Sequence, residues 1–354
     1  MDKIRVALIG NGNICRGPHV RQYLEMTDSV EVVALCDILI ERSEAFKRDF
    51  FPNADVYEHY EDVLVRDDID AVDICTPNYL HSIIAVAALK AGKHVFCEKP
   101  DAVSVEEAEK MKKAAEESGK VLMVMRNNRH LPTSEYMKQY IADGKAGEIY
   151  TGRCGWIRRR GVPGKGGWFT TKAMSGGGPL IDLGVHVIDL SMWLMGNPTP
   201  VSVTGCTYSK FADNNVGSDH TRAKTPTDTG IFDVEDLATG FIKFDNGASL
   251  QIEFSWASNI KEDRKFVELR GTKAGFSWHD NELEIYTEEN GQVVDVVPRF
   301  STKKVSGHGM NLLHFYDVIR NGTTPDFVPQ QGLNMIKILT AIYKSAETGK
   351  EVLL

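Results

Sequence analysis

Cysteine is scarce in this chain, and what there is lies scattered. The six residues, Cys15, Cys36, Cys75, Cys97, Cys154 and Cys206, include no Cys-x-x-Cys pair. That excludes a zinc knuckle or a redox dithiol, and single thiols of this kind suit a reducing cytoplasm. Long apolar runs are also missing. None approaches the roughly 18 residues that span a bilayer, so no membrane partner is expected. The opening segment, Met1 to Gly10, lacks the shape of a signal peptide and reads as a strand running into a glycine turn. There is no excess of positive charge. Lys and Arg number 41 against 49 Asp and Glu, a net charge of −8 that would repel phosphate backbones, so nucleic acid is not an expected partner. Internal repeats, low-complexity tracts and a His/Cys/Asp cluster of metal-binding spacing are absent as well, and no metal is expected.

What remains is an ordinary globular composition, 42% apolar and 25% charged, in 354 residues. That length exceeds what one hydrophobic core usually serves, so two domains are expected, 1–125 and 126–354, with the last helices packing back on the first. In the first part, β-branched runs at Lys3–Ile9, Val30–Cys36, Ala71–Cys75, His94–Cys97 and Val121–Met125 alternate with stretches of helical periodicity. The helical stretches are Gly17–Met26, Glu41–Phe51, Tyr60–Val65, Ser82–Ala91 and Val105–Ser118. This rhythm predicts an α/β fold with a mostly parallel sheet covered on both faces.

After Arg126 the texture changes. A helix at Pro132–Asp143, a strand at Glu148–Arg158 and a glycine-dense loop from Gly161 to Gly178 lead to a helix at Ile181–Met195. Alternating runs follow at Val201–Tyr208, Leu237–Phe244, Ala248–Ser258, Lys265–Arg270, Glu282–Tyr286 and Gln292–Val297. Turn residues such as Asp245-Asn246-Gly247 between them indicate antiparallel meanders. Asp213–Thr229 is polar and aperiodic and reads as a mobile loop; helices near Met310–Arg320 and Gly332–Thr348 close the chain.

Gly10-Asn11-Gly12-Asn13-Ile14-Cys15 follows the first strand and opens a helix. The first glycine permits a tight turn, and the second removes a side chain where backbone would approach a pyrophosphate. The third glycine of a dinucleotide fingerprint is replaced by Cys15. Asp37 ends the second strand about 20 residues past the motif, where a carboxylate bonds the adenosine ribose hydroxyls and repels an extra phosphate, favouring NAD over NADP. Asp37 could instead cap the following helix, and Arg42 nearby could meet a phosphate.

Thr76-Pro77-Asn78-Tyr79-Leu80-His81 and Glu98-Lys99-Pro100, together with Gly176-Gly177-Gly178-Pro179-Leu180-Ile181-Asp182-Leu183-Gly184-Val185-His186, resemble the glucose–fructose oxidoreductase/inositol dehydrogenase (Gfo/Idh/MocA) family over essentially the whole chain. The resemblance implies an N-terminal Rossmann dinucleotide-binding domain and a C-terminal α/β domain with a large, mostly antiparallel open sheet that mediates homo-oligomerisation, as a dimer or tetramer. It implies that Thr76, Pro77, Asn78 and His81 line the nicotinamide half of the cofactor site, that Glu98 contacts the nicotinamide riboside, and that Lys99 faces cofactor and substrate. Asn127 matches an asparagine near the active site. Trp168 matches the tryptophan of a Trp-Arg pair whose arginine is here Phe169.

Lys99, Asp182 and His186 match the family's catalytic set. Asp182 and His186, four residues apart, share one helix face. Neutral imidazole suits a general base for a secondary alcohol, a lysine ammonium suits the developing alkoxide, and the carboxylate suits orientation. Arg158, in Arg158-Arg159-Arg160, could fork onto substrate hydroxyls or a carboxylate, or could be a solvated strand end. The expected function is a cytoplasmic NAD-dependent dehydrogenase of a sugar, glycoside or inositol. Two alternatives stay open: a redox-neutral glycoside-cleaving or epimerising enzyme with tightly held NAD, and a non-catalytic NAD-sensing binding protein.

Overall fold

The computed structural model describes residues 3–211, 230–301 and 306–354. The polar stretch read as a loop at Asp213–Thr229 lies outside them. Two compact units are present, one of Met1–Asn127 with Val305–Leu333, the other of Asn128–Lys304 with Asn334–Leu354.

The first unit is a Rossmann-type sandwich. Its strands are β1 (Ile4–Ile9), β2 (Val30–Cys36), β3 (Asp55–Tyr57), β4 (Ala71–Ile74), β5 (His94–Cys97) and β6 (Leu122–Val124). They form one parallel sheet in the order β3-β2-β1-β4-β5-β6. All four residues of β4 are buried, as they must be when helices cover both faces. The helices are α1 (Val20–Glu25), α2 (Ile40–Asp49), α3 (Tyr60–Leu64), α4 (Asn78–Lys90) and α5 (Val105–Ser118). The ends of α5 show why the pattern fixes it: Ser104 Oγ accepts from Glu107 N at 3.3 Å, and Gly119 closes it with φ of 63°. β3 escaped the sequence reading because its three residues form no apolar run, unlike the equally short but wholly buried β6.

The first helix differs from its expected form. It begins earlier, as a π-helical turn over Cys15–His19, and becomes α-helical only at Val20. Pro18 sits inside that turn and has no N–H to give to the ordinary helical ladder, which accounts for the wider winding.

The second unit contains α6 (Pro132–Ala142), β7 (Ile149–Ile157), a short α7 (Lys172–Ser175) and α8 (Val185–Leu194). Strands β8 (Pro200–Tyr208), β9 (Leu237–Phe244), β10 (Ser249–Ser255), β11 (Arg264–Gly271), β12 (Gly275–His279), β13 (Glu282–Glu289) and β14 (Gln292–Val296) follow. The chain then passes through α9 (Gly307–Asn321), which belongs to the first unit, and α10 (Pro329–Thr348), and ends in β15 (Val352–Leu353). The nine strands of this unit pair in the order β14-β13-β12-β11-β7-β10-β9-β8-β15. Only β7 and β10 run parallel; every other pairing is antiparallel. One face carries buried Cys154, Val267 and Leu269; the residues between them on the same strands, such as Arg153 and Glu268, face the other way. The expected helix at Ile181–Met195 is again divided, into a π-helical turn at Leu180–Gly184 followed by α8.

Candidate active site

In the first unit, β1 ends at Gly10, whose φ of 93° and surroundings admit no side chain. A Cβ there would lie 2.6 Å from the Cys75 carbonyl carbon, so glycine is what lets the turn pass the end of β4. Gly12, by contrast, looks onto open space: a Cβ would meet nothing within 4 Å. Asn13 and Ile14 beside it are exposed. The turn is therefore a cradle with room above its backbone. Asp37 stands at its side, buried at 7% exposure. Its carboxylate accepts from Asn11 N at 2.8 Å and from Leu39 N at 2.9 Å, with Arg42 Nη1 3.8 Å away. Asp37 thus ties the glycine turn to the turn that leads into α2, without capping that helix by its side chain. The Thr76 hydroxyl, on the adjoining turn after β4, is buried with no hydrogen-bond partner. An open cradle, a carboxylate at its edge and an orphaned hydroxyl fit a dinucleotide.

His81, on α4, is buried, with Nδ1 2.7 Å from the Pro100 carbonyl oxygen and Nε2 2.9 Å from that of Thr76. Its ring spans the Thr76–Asn78 loop and the Lys99-Pro100 turn, where the peptide bond is cis. Both ring nitrogens are occupied within the protein, so the histidine fixes these two loops relative to each other.

Beneath Glu98 lies a cluster that the sequence did not disclose. His19 is fully buried, with Nδ1 2.7 Å from Asp73 Oδ2 and Nε2 2.8 Å from Glu98 Oε1. Burial alone would lower the His19 pKa, but the two carboxylates outweigh it and hold the ring well above the usual imidazole range. Burial likewise pushes the Glu98 carboxyl up, yet His19 brings it down to about 2. Tyr23 adds a hydroxyl to Asp73 at 2.8 Å and meets the Tyr316 hydroxyl at 2.9 Å. The second Glu98 oxygen accepts from Lys99 N at 3.1 Å, so the network reaches the backbone of the lysine itself.

The expectation that no metal-like cluster exists meets a partial exception here. His19, Asp73 and Cys75 bring ligand atoms within 4.8 Å of one another. The His19–Asp73 bond already fills that space, and burial pushes the Cys75 thiol well up, away from the thiolate that metals bind. The trio is a hydrogen-bonded core.

In the second unit, the segment from Leu180 to Met192 is buried at every residue except Asp182 and His186. These two polar groups emerge together from an apolar turn and helix. Trp256 Nε1 donates to Asp182 Oδ2 at 3.0 Å, fixing the carboxylate. Asn128 Nδ2 donates to the His186 carbonyl at 3.2 Å, and the Trp156 ring lies 5.9 Å from the imidazole, centroid to centroid. The start of this turn is held from below by Glu235, a buried carboxylate accepting from Gly178 N at 2.9 Å, Leu180 N at 3.1 Å and the Tyr343 hydroxyl at 2.9 Å. A Cβ on Gly178 would fall 2.0 Å from the Glu235 carbonyl oxygen, and one on Gly177 would fall 2.0 Å from the Tyr343 hydroxyl. The clamp thus dictates Gly177 and Gly178, while Gly176 is set by its φ of 83° at the end of α7.

Of the remaining expected residues, Arg158 is half-buried, its Nη1 donating to the Gly161 carbonyl at 3.2 Å and its guanidinium 5.0 Å from the Trp156 ring. Trp168 stacks on Phe169 at 3.8 Å. Asn127 opens a short 3₁₀ turn, and Asn78 is buried at the first turn of α4. Sequence reading missed His19, Asp73, Glu235, Tyr343, Trp256 and Lys265. For His19 a signal existed in its place at the end of the glycine turn; for the others the partners are too remote along the chain.

A Rossmann unit with an open cradle, joined to an open-sheet unit that presents a polar pair on an apolar helix, defines a nicotinamide-dependent oxidoreductase. Comparison with known proteins fixes the family. The profile described as "Oxidoreductase family, NAD-binding Rossmann fold" matches residues 4–126, and that described as "Oxidoreductase family, C-terminal alpha/beta domain" matches 138–354. The chain belongs to the Gfo/Idh/MocA family of NAD(P)-dependent oxidoreductases.

It is 33% identical over 351 residues to D-glucoside 3-dehydrogenase of Escherichia coli (strain K12), covering 99% of this chain and 97% of the relative. It is 29% identical over 374 residues to a scyllo-inositol 2-dehydrogenase (NADP(+)) of Bacillus subtilis (strain 168), covering 100% and 97%. Among solved structures, levoglucosan dehydrogenase in complex with NADH and L-sorbose superposes with a TM-score of 0.86 at 26% identity, covering 100% of this chain and 99% of the other. Among the described residues, no helix is long and apolar enough to cross a membrane.

Proposed function

We propose that this protein is a sugar or polyol dehydrogenase that oxidises a secondary alcohol of a sugar, glycoside or inositol, with NAD as its cofactor. The observation that carries the reading is the emergence of Asp182 and His186, alone, from the buried stretch Leu180–Met192. Packing alone would leave apolar side chains at both positions, so two ionisable groups on an otherwise buried stretch suit a site that meets a polar ligand. The names of the relatives, which include glucoside, inositol and levoglucosan dehydrogenases, support the substrate class.

In this reading Gly10, Gly12, Asn13 and Ile14 offer backbone to the pyrophosphate and Asp37 bonds the adenosine ribose, which favours NAD. Thr76, Pro77, Asn78, Glu98, Asn127 and Trp168 line the nicotinamide half, with His81 holding the loop. NAD+, when bound, supplies the hydride acceptor. His186 accepts the hydroxyl proton as the carbinol hydrogen leaves as hydride, giving a ketone. Lys99 donates a hydrogen bond to the oxygen, and Asp182, held by Trp256, orients the imidazole or a neighbouring hydroxyl. Asp182, His186, Lys99 and Arg158 together contact the sugar.

The open face of the nine-stranded sheet, with exposed Phe241 and a cavity of about 470 Å³ between Arg153, Phe241 and Glu351, supports assembly of copies through this surface. Light scattering on the purified protein tests that assembly. The function is tested with NAD+ and a panel of glycosides, inositols, sugar carboxylates and sugar phosphates: NADH absorbance should rise with at least one. Cofactor binding without turnover on any of them would overturn the reading.

A further inference from the structure

Beside His186, on the helix-covered face of the second unit's sheet, two cations meet around one indole. Lys265 on β11 lies directly across the strand pair from Trp156 on β7. Its ammonium is 4.7 Å from the Trp156 ring centre and 5.1 Å from that of Trp278. The Arg158 guanidinium is 5.0 Å from the same Trp156 ring. Asn128 joins the lysine to the proposed base, accepting from Lys265 Nζ at 3.2 Å through Oδ1 while its Nδ2 donates to the His186 carbonyl.

Among the described residues Lys265 forms no ion pair. The carboxylate that acts on it is Asp280, in the turn after β12 and exposed; Glu268, though on the same strand, points to the opposite face and pairs with Arg153. The other charged or titratable groups beside it are Arg158, one residue past β7, and His186 from α8, both against the same Trp156 ring. A half-buried lysine with another cation close by pays for desolvation and for repulsion together, and among the described residues of its unit no carboxylate pairs with it.

We infer that Lys265 and Arg158 form a subsite for an oxyanion on the substrate, so that the alcohol oxidised at His186 belongs to an acidic sugar, a sugar carboxylate or sugar phosphate. The inference rests on the proposed sugar oxidation and specifies its substrate class. Lys265 anchors the anion beside the Trp156 ring, which the Arg158 guanidinium also approaches. Burial, aided by Arg158, lowers the lysine's pKa to about 8. Anion binding therefore depends on a proton that is present at neutral pH and leaves above that value.

The test is calorimetric binding to the full-length protein saturated with NADH, which separates binding from turnover. Probes are methyl glucoside, methyl glucuronide, which carries a carboxylate in place of the hydroxymethyl group, and a glucose phosphate; the last two tell carboxylate from phosphate. At neutral pH one of the anionic probes should bind about 10-fold or more tighter than the neutral glucoside. The preference should fade above pH about 8 and vanish in Lys265→Met. Arg158→Met should weaken the same anionic probe by a larger factor than it weakens the neutral glucoside, which Arg158 also contacts. Equal affinity for neutral and anionic probes would overturn the subsite, as would a preference that persists in a Lys265→Met protein that still binds NADH. Rapid turnover of the neutral glucoside with no anionic preference would sink the subsite while leaving the proposed oxidation standing. Tight anion binding without turnover of any alcohol would support the subsite and count against the oxidation.

Discussion

Substituting Glu235 by glutamine tests whether the start of the helical segment that carries Asp182 and His186 is held by a clamp. The carboxylate accepts two backbone N–H bonds and one phenolic bond, at 2.9, 3.1 and 2.9 Å, in a buried site. An amide of the same shape has one accepting oxygen and turns its NH2 toward at least one of these donors. Each buried donor left unmatched costs about 1–3 kcal/mol, so the loss should be about 1–3 kcal/mol or more. Tyr343→Phe removes one donor and leaves two bonds intact, for a loss of about 1 kcal/mol. Because the two side chains share a bond, the double variant should fall short of the summed losses by roughly 0.5 kcal/mol or more.

Urea denaturation midpoints of the four proteins measure this directly. The Michaelis parameters should move with them. A shift of the Leu180–Gly184 turn misplaces Asp182 and His186, and kcat should fall on the order of 10-fold or more while NAD affinity stays as it was. If Glu235→Gln unfolds at the wild-type midpoint and retains kcat, the clamp does not hold the helix.

Other substitutions probe separate parts of the account. Asp37→Ser, which removes the charge and keeps Arg42, should raise the ratio of NADP to NAD efficiency by about 10-fold or more, and an unchanged ratio would remove Asp37 from cofactor choice. His19→Gln leaves Asp73 and Glu98 buried without their cation and should cost about 3–5 kcal/mol of unfolding free energy. Since the folded His19 pKa is raised, its stabilisation is full below the ordinary imidazole range and is lost as pH rises through the elevated value. The stability gap between wild type and His19→Gln should therefore persist at neutral pH and narrow only in alkali; a gap that closes by pH about 7 contradicts a raised pKa.

The Rossmann unit was largely legible because its signals are local. Val105–Ser118 was read to the residue, since Ser104 and Gly119 mark both ends of its helix and its apolar spacing fills the middle. The two helices that differed begin at turns where proline or glycine interrupts the ordinary ladder, which periodicity cannot sense. Strands β3, β12 and β15 went unread, and each exists by pairing with its neighbours. Lys99, Asp182 and His186 could be singled out because each lies in a compact motif. Glu235 could not, because its partners Gly178 and Tyr343 are distant in sequence, joined only by the fold. Lys265 looked like one more strand residue until β11 was set beside Trp156.

The account's central claim is that a carbinol hydrogen passes as hydride to the nicotinamide while His186 takes the hydroxyl proton. A glycoside or inositol deuterated at its secondary carbons, incubated with NAD+, measures both events at once. The claim requires deuterium on the nicotinamide ring of the product and a rate about 10²–10⁴ lower in His186→Asn. NADH free of deuterium, or a variant as fast as wild type, would contradict it.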